Sequence, residues 1–294
     1  MENWFVPYTA SEVPQAQSVL ILAPHPDDEV FGCGGCVALH RARQVPVHVL
    51  LLTDGGRDAD EAARAQYVAQ RWQESQAAAA ILGHTLERLP YRDRSLGAAS
   101  RLAADIVAAA LRCSADLIYA PSPWEIHPDH YHAALAAFEA LRQLPDGVRL
   151  ATYEVGVPQR PNTLVDITSV QAVKQQAMAC FVTQLAVQRY ADQVTGLNVF
   201  RSYTLGLEVA AAEALTVFSR TELDSDPCRL YASERQHLLM TAAKAPQREL
   251  ELPRDIDSLY RRLASAEAEN RQLRNSRSWR LTAPLRWLAS RLYR

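Results

Sequence analysis

The 294-residue sequence lacks the features that define several common protein classes. Its five cysteines are an odd number with no spacing typical of a disulfide framework, so we expect free thiols in a reducing cytoplasm. The N-terminal residues lack a basic segment followed by an apolar core, and no apolar run approaches the roughly 20 residues that span a bilayer. The formal net charge of -2 gives no reason to expect nucleic-acid binding. These absences predict a soluble, cytoplasmic protein.

Apolar runs and helical patterns alternate along the first two thirds of the sequence. The runs suit parallel strands that are buried on both faces. The alternation predicts an α/β fold, a three-layer sandwich with a mostly parallel sheet and right-handed crossovers. Strands are expected at residues 19–23, 45–53, 84–90, 116–120, 150–155 and 164–167. Helices are expected at residues 36–43, 61–82, 102–111, 131–142 and 170–184.

The first expected strand opens directly into a charged motif, His25-Pro26-Asp27-Asp28-Glu29. Three adjacent carboxylates at the end of a buried strand are unfavourable unless a positive charge lies among them, and a divalent metal ion would supply it. A second motif, His127-Pro128-Asp129-His130, follows the expected strand at residues 116–120. Because the carboxyl ends of parallel strands meet at one edge of a sheet, we expect the two motifs to form one site.

Two histidines and one carboxylate, with a fourth position open, are a typical ligand set of catalytic zinc. His25, Asp28 and His130 supply such a set. Asp27 would then be free to act as general base toward the attacking water. His127 would stabilise the oxyanion as an imidazolium or protonate the leaving amine.

Two further acids in the motifs are expected to support this site. Asp129 could hold the His127 ring in the required tautomer. Glu29 is expected to hydrogen-bond around the ligands, because a fourth protein ligand would close the site. The nearby Cys33-Gly34-Gly35-Cys36 has CxxC spacing, but no second CxxC completes a zinc site, and small buried residues are the favoured interpretation. No Gly-x-Gly-x-x-Gly follows the first strand, which argues against a dinucleotide site.

The paired motifs resemble those of the PIG-L/LmbE-like N-acetylglucosaminyl deacetylases. The resemblance covers roughly residues 17–210, and includes Gly32-Cys33-Gly34-Gly35, Thr53-Asp54-Gly55 and Arg71-Trp72-Gln73-Glu74. It implies a Rossmann-like sheet and a zinc hydrolase that removes an acetyl or other acyl group from an amino sugar. One zinc ion per chain would bind His25, Asp28 and His130, with ferrous iron as the alternative.

The resemblance also implies roles for residues outside the motifs. Arg71 and Asp93 would contact sugar hydroxyls. Some relatives carry a tyrosine two residues before the first histidine of the second motif, where this sequence has Glu125. An ionised carboxylate there cannot stabilise an oxyanion, and we expect Glu125 to be a solvated loop residue rather than a substrate contact.

The C-terminal part of the sequence has a different character. We expect a deacetylase domain at residues 1–223, a linker at 224–254 and a helical extension at 255–294. A heptad-spaced apolar stripe at residues 256–273 predicts either a dimeric coiled coil or an amphipathic helix on the domain. The basic and aromatic segment Arg274–Arg294 contains no acid. This pattern is typical of peripheral contact with an anionic membrane, here the inner face of the cytoplasmic membrane; a solvated tail and a helix that docks on a partner protein are the alternatives.

The sequence leaves the substrate open among several conjugates of N-acetylhexosamine. The segment Ser276–Arg286 resembles tails of bacterial proteins that assemble cell-surface polysaccharide, which favours a glycan, glycolipid or nucleotide-sugar substrate. A thiol-conjugated amino sugar is the alternative substrate. A non-catalytic scaffold in a glycan-assembly complex is the alternative function, but retention of both the ligands and the proton-transfer groups argues against it.

Overall fold

A computed structural model describes residues 6–56 and 60–225 of the chain. Seven strands form a single sheet in the order β3-β2-β1-β4-β5-β7-β6. The strands are β1 (Val19–Ala23), β2 (Val47–Thr53), β3 (Thr85–Tyr91), β4 (Leu117–Pro121), β5 (Arg149–Tyr153), β6 (Thr163–Asp166) and β7 (Ala212–Ser219). The first five strands are parallel, and β7 runs antiparallel to both of its neighbours. The mostly parallel sheet predicted from the sequence is therefore confirmed.

Helices cover both faces of the sheet, which makes the three-layer sandwich. They are α1 (Asp28–Ala42), α2 (Glu61–Leu82), α3 (Leu102–Arg112), α4 (Pro128–Gln143), α5 (Gln171–Met178), α6 (Val182–Leu185), α7 (Tyr190–Arg201) and α8 (Arg220–Ser225). On one face α1 packs against α2, α5 and α7, and on the other α3 packs against α4. None of the helices in the described part of the chain is both long and apolar enough to cross a membrane.

The alternation of side chains along β1 divides the core between the two faces. Val19 and Ile21 belong to the apolar cluster beneath α1 and α2, whereas Leu20 and Leu22 belong to the cluster beneath α3 and α4. All five residues of β1 are buried, as expected for a central parallel strand. The strand is thus fixed on both sides, which holds the residues that follow it.

The strand order places the two sequence motifs next to each other. β1 pairs with β2 on one side and with β4 on the other, so the direction of strand succession reverses between β1 and β4. Such a reversal leaves a crevice at the carboxyl ends of the two strands, where ligands of open α/β sheets bind. The chain enters this crevice twice, once after β1 and once after β4.

The first helix differs from the expectation that it begins at residue 36. It begins at Asp28, directly after the motif, and its backbone is non-helical only at Cys33 (φ -139°, ψ 24°). The break frees the backbone N–H groups of Gly35 and Cys36, and both donate to the carboxylate of Glu213 on β7 at 2.7 Å. A side chain 178 residues away in sequence therefore caps the second half of α1, which local propensity cannot reveal.

Other segments also depart from the predicted elements. The helix expected at residues 170–184 is interrupted, because Phe181 is fully buried and takes a non-helical conformation between α5 and α6. Strand β7 and helix α7 were not predicted. The helix α8 crosses the expected domain boundary at residue 223. The expected linker beyond residue 225, the heptad stripe and the basic tail lie outside the described residues.

Candidate active site

Three side-chain atoms at the ends of β1 and β4 form a nearly equilateral triangle. His25 Nδ1 lies 3.2 Å from Asp28 Oδ2 and 3.2 Å from His130 Nε2, and these last two atoms are 3.1 Å apart. A tetrahedral zinc ion bound at about 2.0–2.1 Å to such ligands would separate them by about 3.3 Å. We call these three residues the ligand triangle. Its donor types and spacing fit a divalent metal ion.

The outer nitrogen of each ligand histidine faces a carboxylate. His25 Nε2 lies 3.2 Å from Asp93 Oδ1 and 3.4 Å from Asp129 Oδ2, and His130 Nδ1 lies 3.7 Å from Glu125 Oε2. Histidines that ligate metals commonly donate their other N–H to a carboxylate, which fixes the ring and increases its basicity. The arrangement therefore supports the assignment of His25 and His130 as ligands through Nδ1 and Nε2 respectively.

The charges within the ligand triangle also call for a cation. Burial opposes ionisation of Asp28, but the adjacent His130 and His25 outweigh it and hold the pKa of Asp28 well below its usual value. Burial alone would lower the pKa of His130, but the neighbouring Asp28 outweighs burial and raises that pKa to about 9. The anionic Asp28 thus attracts positive charge to the two imidazoles. A bound divalent ion would supply that charge in place of the protons, since metal binding releases them.

Asp27 lies beside the ligand triangle in an unusual backbone conformation. Its φ of 137° is a value that residues other than glycine rarely adopt, and such strain is concentrated at functional sites. Asp27 is the N-cap residue of α1, but its carboxylate makes no capping hydrogen bond. It accepts instead from Arg71 Nη2 at 2.7 Å. Burial raises the pKa of Asp27 to about 7 despite the opposing effect of Arg71.

Arg71, expected to contact sugar hydroxyls, is engaged with the protein itself. It donates to Asp27, to the carbonyl oxygen of Pro26 and, at 3.1 Å, to that of Gly55. Gly55 has a φ of 59°, and a Cβ atom there would collide with the guanidinium, so glycine permits the close approach. The side chain is only 5% exposed, although it reaches the wall of the cavity. The structure thus places Arg71 where it orients Asp27; the sugar contact stays a prediction.

Glu29 is the innermost of the three consecutive acids. It is fully buried, and its carboxylate accepts the backbone N–H of Asp27 at 3.2 Å. Burial raises the pKa of Glu29 to about 8. This hydrogen bond is with the backbone of Asp27 and not with a ligand residue, so the support of the metal ligands by Glu29 stays a prediction.

His127 projects from the N-terminus of α4 toward the same centre. Its Nδ1 accepts from the backbone N–H of Asp129 at 3.3 Å, so the neutral ring carries its proton on Nε2. The carboxylate of Asp129, which we expected to hold His127, instead faces His25 and accepts the backbone N–H groups of Arg94 and Leu96. Burial lowers the pKa of His127, and nearby His25 and His130 lower it further. A resting imidazolium is therefore disfavoured.

Glu125 is not the solvated loop residue that we expected. It is 2% exposed, and its Oε1 accepts the backbone N–H groups of Val155, Gly156 and Val157 at 2.8–3.1 Å. The physical reason is that the loop after β5 supplies three donors to a carboxylate that also faces His130. Sequence reasoning missed this role because the donors are backbone groups from a distant loop.

A cavity of about 480 Å³ opens beside the ligand triangle. Its polar end contains every predicted ligand and proton-transfer group, together with Arg71, Asp93 and Glu125. The remaining wall comes from Phe31, Ile126, the loop after β5 and the segment from α6 to α7. The latter contributes Gln184, Tyr190, Gln193, Val194 and Leu197. The volume is in the range of small-molecule sites.

The CxxC cysteines contribute no ligand to this cavity. Cys33 and Cys36 are both buried in the core, and burial raises the pKa of each thiol well above its ordinary value. Reactive cysteines need an accessible thiolate. The structure therefore supports the interpretation of these two residues as small core residues.

Fold and site together define an α/β protein with a cluster of histidines and carboxylates that could hold a metal ion, at the switch point of a Rossmann-like sheet. The sequence profile of the PIG-L family, described as GlcNAc-PI de-N-acetylase, matches residues 20–141. Diacetylchitobiose deacetylase of Thermococcus kodakarensis is 30% identical over 187 residues, which are 57% of this chain and 70% of that protein. The chain belongs to the PIG-L family.

Other relatives extend the comparison. A probable N-acetyl-alpha-D-glucosaminyl L-malate deacetylase 2 of Bacillus anthracis is 32% identical over 60% of this chain and 88% of its own. A 4-oxalmesaconate hydratase of Pseudomonas putida is 27% identical over 69% of this chain and 90% of its own. The crystal structure of N,N'-diacetylchitobiose deacetylase from Pyrococcus horikoshii has a TM-score of 0.64 at 24% identity, covering 71% of this chain and 86% of that one. This last similarity establishes the shared fold.

Proposed function

We propose that the protein is a zinc-dependent deacetylase that hydrolyses the N-acetyl group of an N-acetylhexosamine conjugate. The observation that carries this proposal is the ligand triangle with Asp27 directly beside it. Membership of the PIG-L family and two deacetylase relatives support the same reaction. Two imidazoles and one carboxylate suit catalytic zinc, and the same set also occurs at ferrous iron sites, so iron is the alternative metal.

The bound metal ion would act as a Lewis acid toward the acetyl carbonyl and increase the acidity of the attacking water. Asp27 accepts the proton of that water. A carboxyl group with a pKa near 7 suits this role, because it is ionised often enough to accept a proton and basic enough to hold it. The protonated Asp27 then delivers the proton to the leaving amine. Water and amide are thereby converted into acetate and the free amino sugar.

Within this reaction His127 stabilises the negative charge that develops on the carbonyl oxygen. Its Nδ1 accepts a backbone N–H, so the neutral ring presents Nε2–H as a donor toward the cavity. A donor preoriented in this way favours the transition state over the ground state. We therefore favour oxyanion stabilisation by the neutral ring over the imidazolium considered from the sequence.

The test uses full-length protein stripped with a chelator and reloaded with zinc or, without oxygen, with ferrous iron. Acetate release is measured from N,N'-diacetylchitobiose, from a GlcNAc-malate conjugate and from an N-acetylated thiol conjugate of glucosamine; 4-oxalmesaconate is included because one relative is its hydratase. We expect metal-dependent acetate release that Asp27→Asn abolishes. The proposal would be refuted if the zinc-loaded protein released no acetate, or if the Asp27→Asn variant released acetate at the same rate as the original protein.

We further propose that the protein acts on precursors of cell-surface polysaccharide in the cytoplasm, where its C-terminal segment contacts the inner face of the cytoplasmic membrane. The motivation is the basic, aromatic sequence at residues 274–294. Co-sedimentation with anionic vesicles should distinguish the full chain from a chain ending at residue 255. Equal pelleting of the two proteins would contradict a membrane role for the segment.

A further inference from the structure

The cavity has a second half that the proposed reaction does not use. Four residues of α7 line it, namely Tyr190, Gln193, Val194 and Leu197. Their spacing of three, one and three residues places them on one face of the helix. At 1.5 Å per residue this face extends the wall by about 10 Å. We call it the distal subsite. It is large enough for a group attached to the sugar that is deacetylated.

The walls of the distal subsite are fixed by buried ionic contacts. Arg201, near the end of α7, donates through Nε to Glu154 at 3.0 Å and through Nη2 to the carbonyl oxygen of Gln159 at 2.8 Å. Glu154 begins the loop whose residues Val155, Gly156 and Pro158 form the facing wall. The same loop is held by Glu125 on its other side. The subsite is thus preformed, which reduces the entropy lost on binding.

The chemistry of the distal subsite is polar but uncharged. The phenol of Tyr190 and the amide of Gln193 offer donors and acceptors without net charge, and Val194 and Leu197 offer apolar surface. The ring of Tyr190 lies 6.1 Å from that of Phe31, which continues the aromatic surface toward Asp28. A sugar ring presents hydroxyl groups at its rim and C–H groups on its faces. This combination matches such a surface.

The charges around the cavity disfavour an anionic occupant. Among the described residues that line it, the single lysine or arginine is Arg71, and its guanidinium is engaged with Asp27. Four carboxyl groups line the same cavity, those of Asp27, Asp28, Asp93 and Glu125. Phosphate and carboxylate ligands are normally held by arginine forks that are free to bind them, and the described lining of this cavity offers none.

We propose that the distal subsite binds an uncharged glycosyl unit next to the N-acetylhexosamine, and selects against carriers linked through phosphate or carboxylate. This inference rests on the proposed deacetylase function and specifies its substrate class. Tyr190 and Gln193 are the residues that would recognise the second sugar.

The first experiment compares donors that share the acetylated sugar. Values of kcat/KM are measured for N,N'-diacetylchitobiose, N-acetylglucosamine and N-acetylglucosamine 1-phosphate with zinc-loaded full-length protein. We expect the disaccharide to exceed both others by at least about tenfold, which corresponds to about 1.4 kcal/mol of binding. A preference for the phosphate donor, or no preference for the disaccharide over the monosaccharide, overturns the inference while leaving the deacetylase proposal intact.

The second experiment tests the residues. In Tyr190→Ala we expect the disaccharide-to-monosaccharide ratio of kcat/KM to fall about tenfold, mainly through KM, because a contact made equally in the ground and transition states is lost. Tyr203→Ala is the matched control, since Tyr203 is 86% exposed and does not line the cavity. An equal fall in both variants would refute the assignment of Tyr190.

A binding measurement separates this inference from the reaction. Titration calorimetry follows N,N'-diacetylchitobiose binding to Asp27→Asn and to Asp27→Asn/Tyr190→Ala. We expect about tenfold weaker binding in the double variant. If no donor releases acetate, the deacetylase proposal fails, and this titration still decides the subsite: binding that depends on Tyr190 supports it, and equal or absent binding refutes it.

Discussion

Two buried ionic clusters contact the same helix, α1, one at its N-terminus and one at its break, and they differ in how their charges are balanced. At the N-terminus of α1 are the consecutive acids Asp27, Asp28 and Glu29. At its break, Lys174 donates to Glu213 at 2.7 Å and to Asn198 at 2.9 Å, and Glu213 also accepts two backbone N–H groups. We call the second cluster the Lys174–Glu213 pair. Both of its side chains are 1% exposed.

The difference teaches that burial of charge does not by itself mark a functional site. In the Lys174–Glu213 pair one cation meets one anion, and additional hydrogen bonds complete both groups. At the N-terminus of α1 the three acids differ in pKa. The pKa of Asp28 is low, whereas burial raises the pKa of Asp27 to about 7 and that of Glu29 to about 8. Adjacent carboxyl groups with divergent pKa values are a signature of acid–base chemistry.

The largest effect should come from two adjacent, isosteric substitutions that separate base from ligand. We expect Asp27→Asn to lower kcat by about 10²–10⁴-fold, the usual contribution of a general base, while zinc remains bound. Asp28→Asn should lose both activity and zinc, because it removes a ligand. Elemental analysis and acetate release distinguish the two. Loss of zinc in Asp27→Asn would contradict the separation of roles.

The Lys174–Glu213 pair should respond in stability instead of chemistry. Lys174→Met leaves Glu213 buried without its cation, and removing one partner of a buried pair typically costs about 3–5 kcal/mol. Urea unfolding should detect this loss, while the folded fraction retains its kcat. In Lys174→Met/Glu213→Gln the penalty should be smaller than in the single variant. Normal stability of Lys174→Met would remove the contrast between the two clusters.

These two clusters also explain what the sequence could predict. The ligand triangle follows from two short motifs, each directly after a buried strand, and parallel pairing of β1 with β4 brings them together. Such information is local except for one topological step. Six of the seven strands and the helices α2, α3 and α4 were likewise encoded by local periodicity, and their predicted positions agree with the structure to within three residues.

The remaining features depend on distant partners and were not readable. The capping of the second half of α1 depends on Glu213, which lies on an unpredicted strand. Burial of Glu125 depends on backbone donors after β5, and the engagement of Arg71 depends on the turn at Gly55. In each case a polar side chain is satisfied across the fold. Propensity and motif spacing carry no information about such contacts.

A smaller effect is expected from Glu125, which connects the ligand triangle to the cavity wall. When His130 binds the metal through Nε2, its Nδ1 carries a proton and needs an acceptor. Glu125→Gln would instead present an amide N–H donor to Nδ1, so the two donors would oppose each other. We expect zinc affinity to fall about 10–100-fold, the usual effect of losing such a partner. Competition with a chromophoric chelator measures this affinity.

The control for Glu125→Gln is Glu154→Gln. Glu154 is also a buried acid of this region, but its contacts are with Arg201 and Gln159 and not with a ligand histidine. Its replacement should leave zinc affinity within about twofold of the original, well below the effect expected at Glu125. Equal losses of affinity in the two variants would mean that loop order, not orientation of His130, controls metal binding.

The smallest effect concerns a buried group outside both clusters. Both ring nitrogens of His84 are buried and, among the described residues, have no hydrogen-bond partner; burial lowers its pKa from 6.5 to about 4. Between these pH values the unfolded chain binds a proton that the folded chain does not, so stability falls as the pH decreases from 6.5 toward 4. At pH 5.5 this contribution should be about 1 kcal/mol relative to pH 7.5.

His84→Phe removes that titration while filling the same space. Urea unfolding at pH 7.5 and 5.5 should therefore show a smaller pH dependence in the variant, by about 1 kcal/mol, with zinc affinity and kcat unchanged. This outcome would set His84 apart from both clusters, because this buried histidine without partners would then affect only the pH dependence of the free energy of unfolding. An identical pH dependence of unfolding in the two proteins would mean that His84 is solvated or paired in solution. The absence of a hydrogen-bond partner would then predict stability less well than the ionic contacts of the two clusters do.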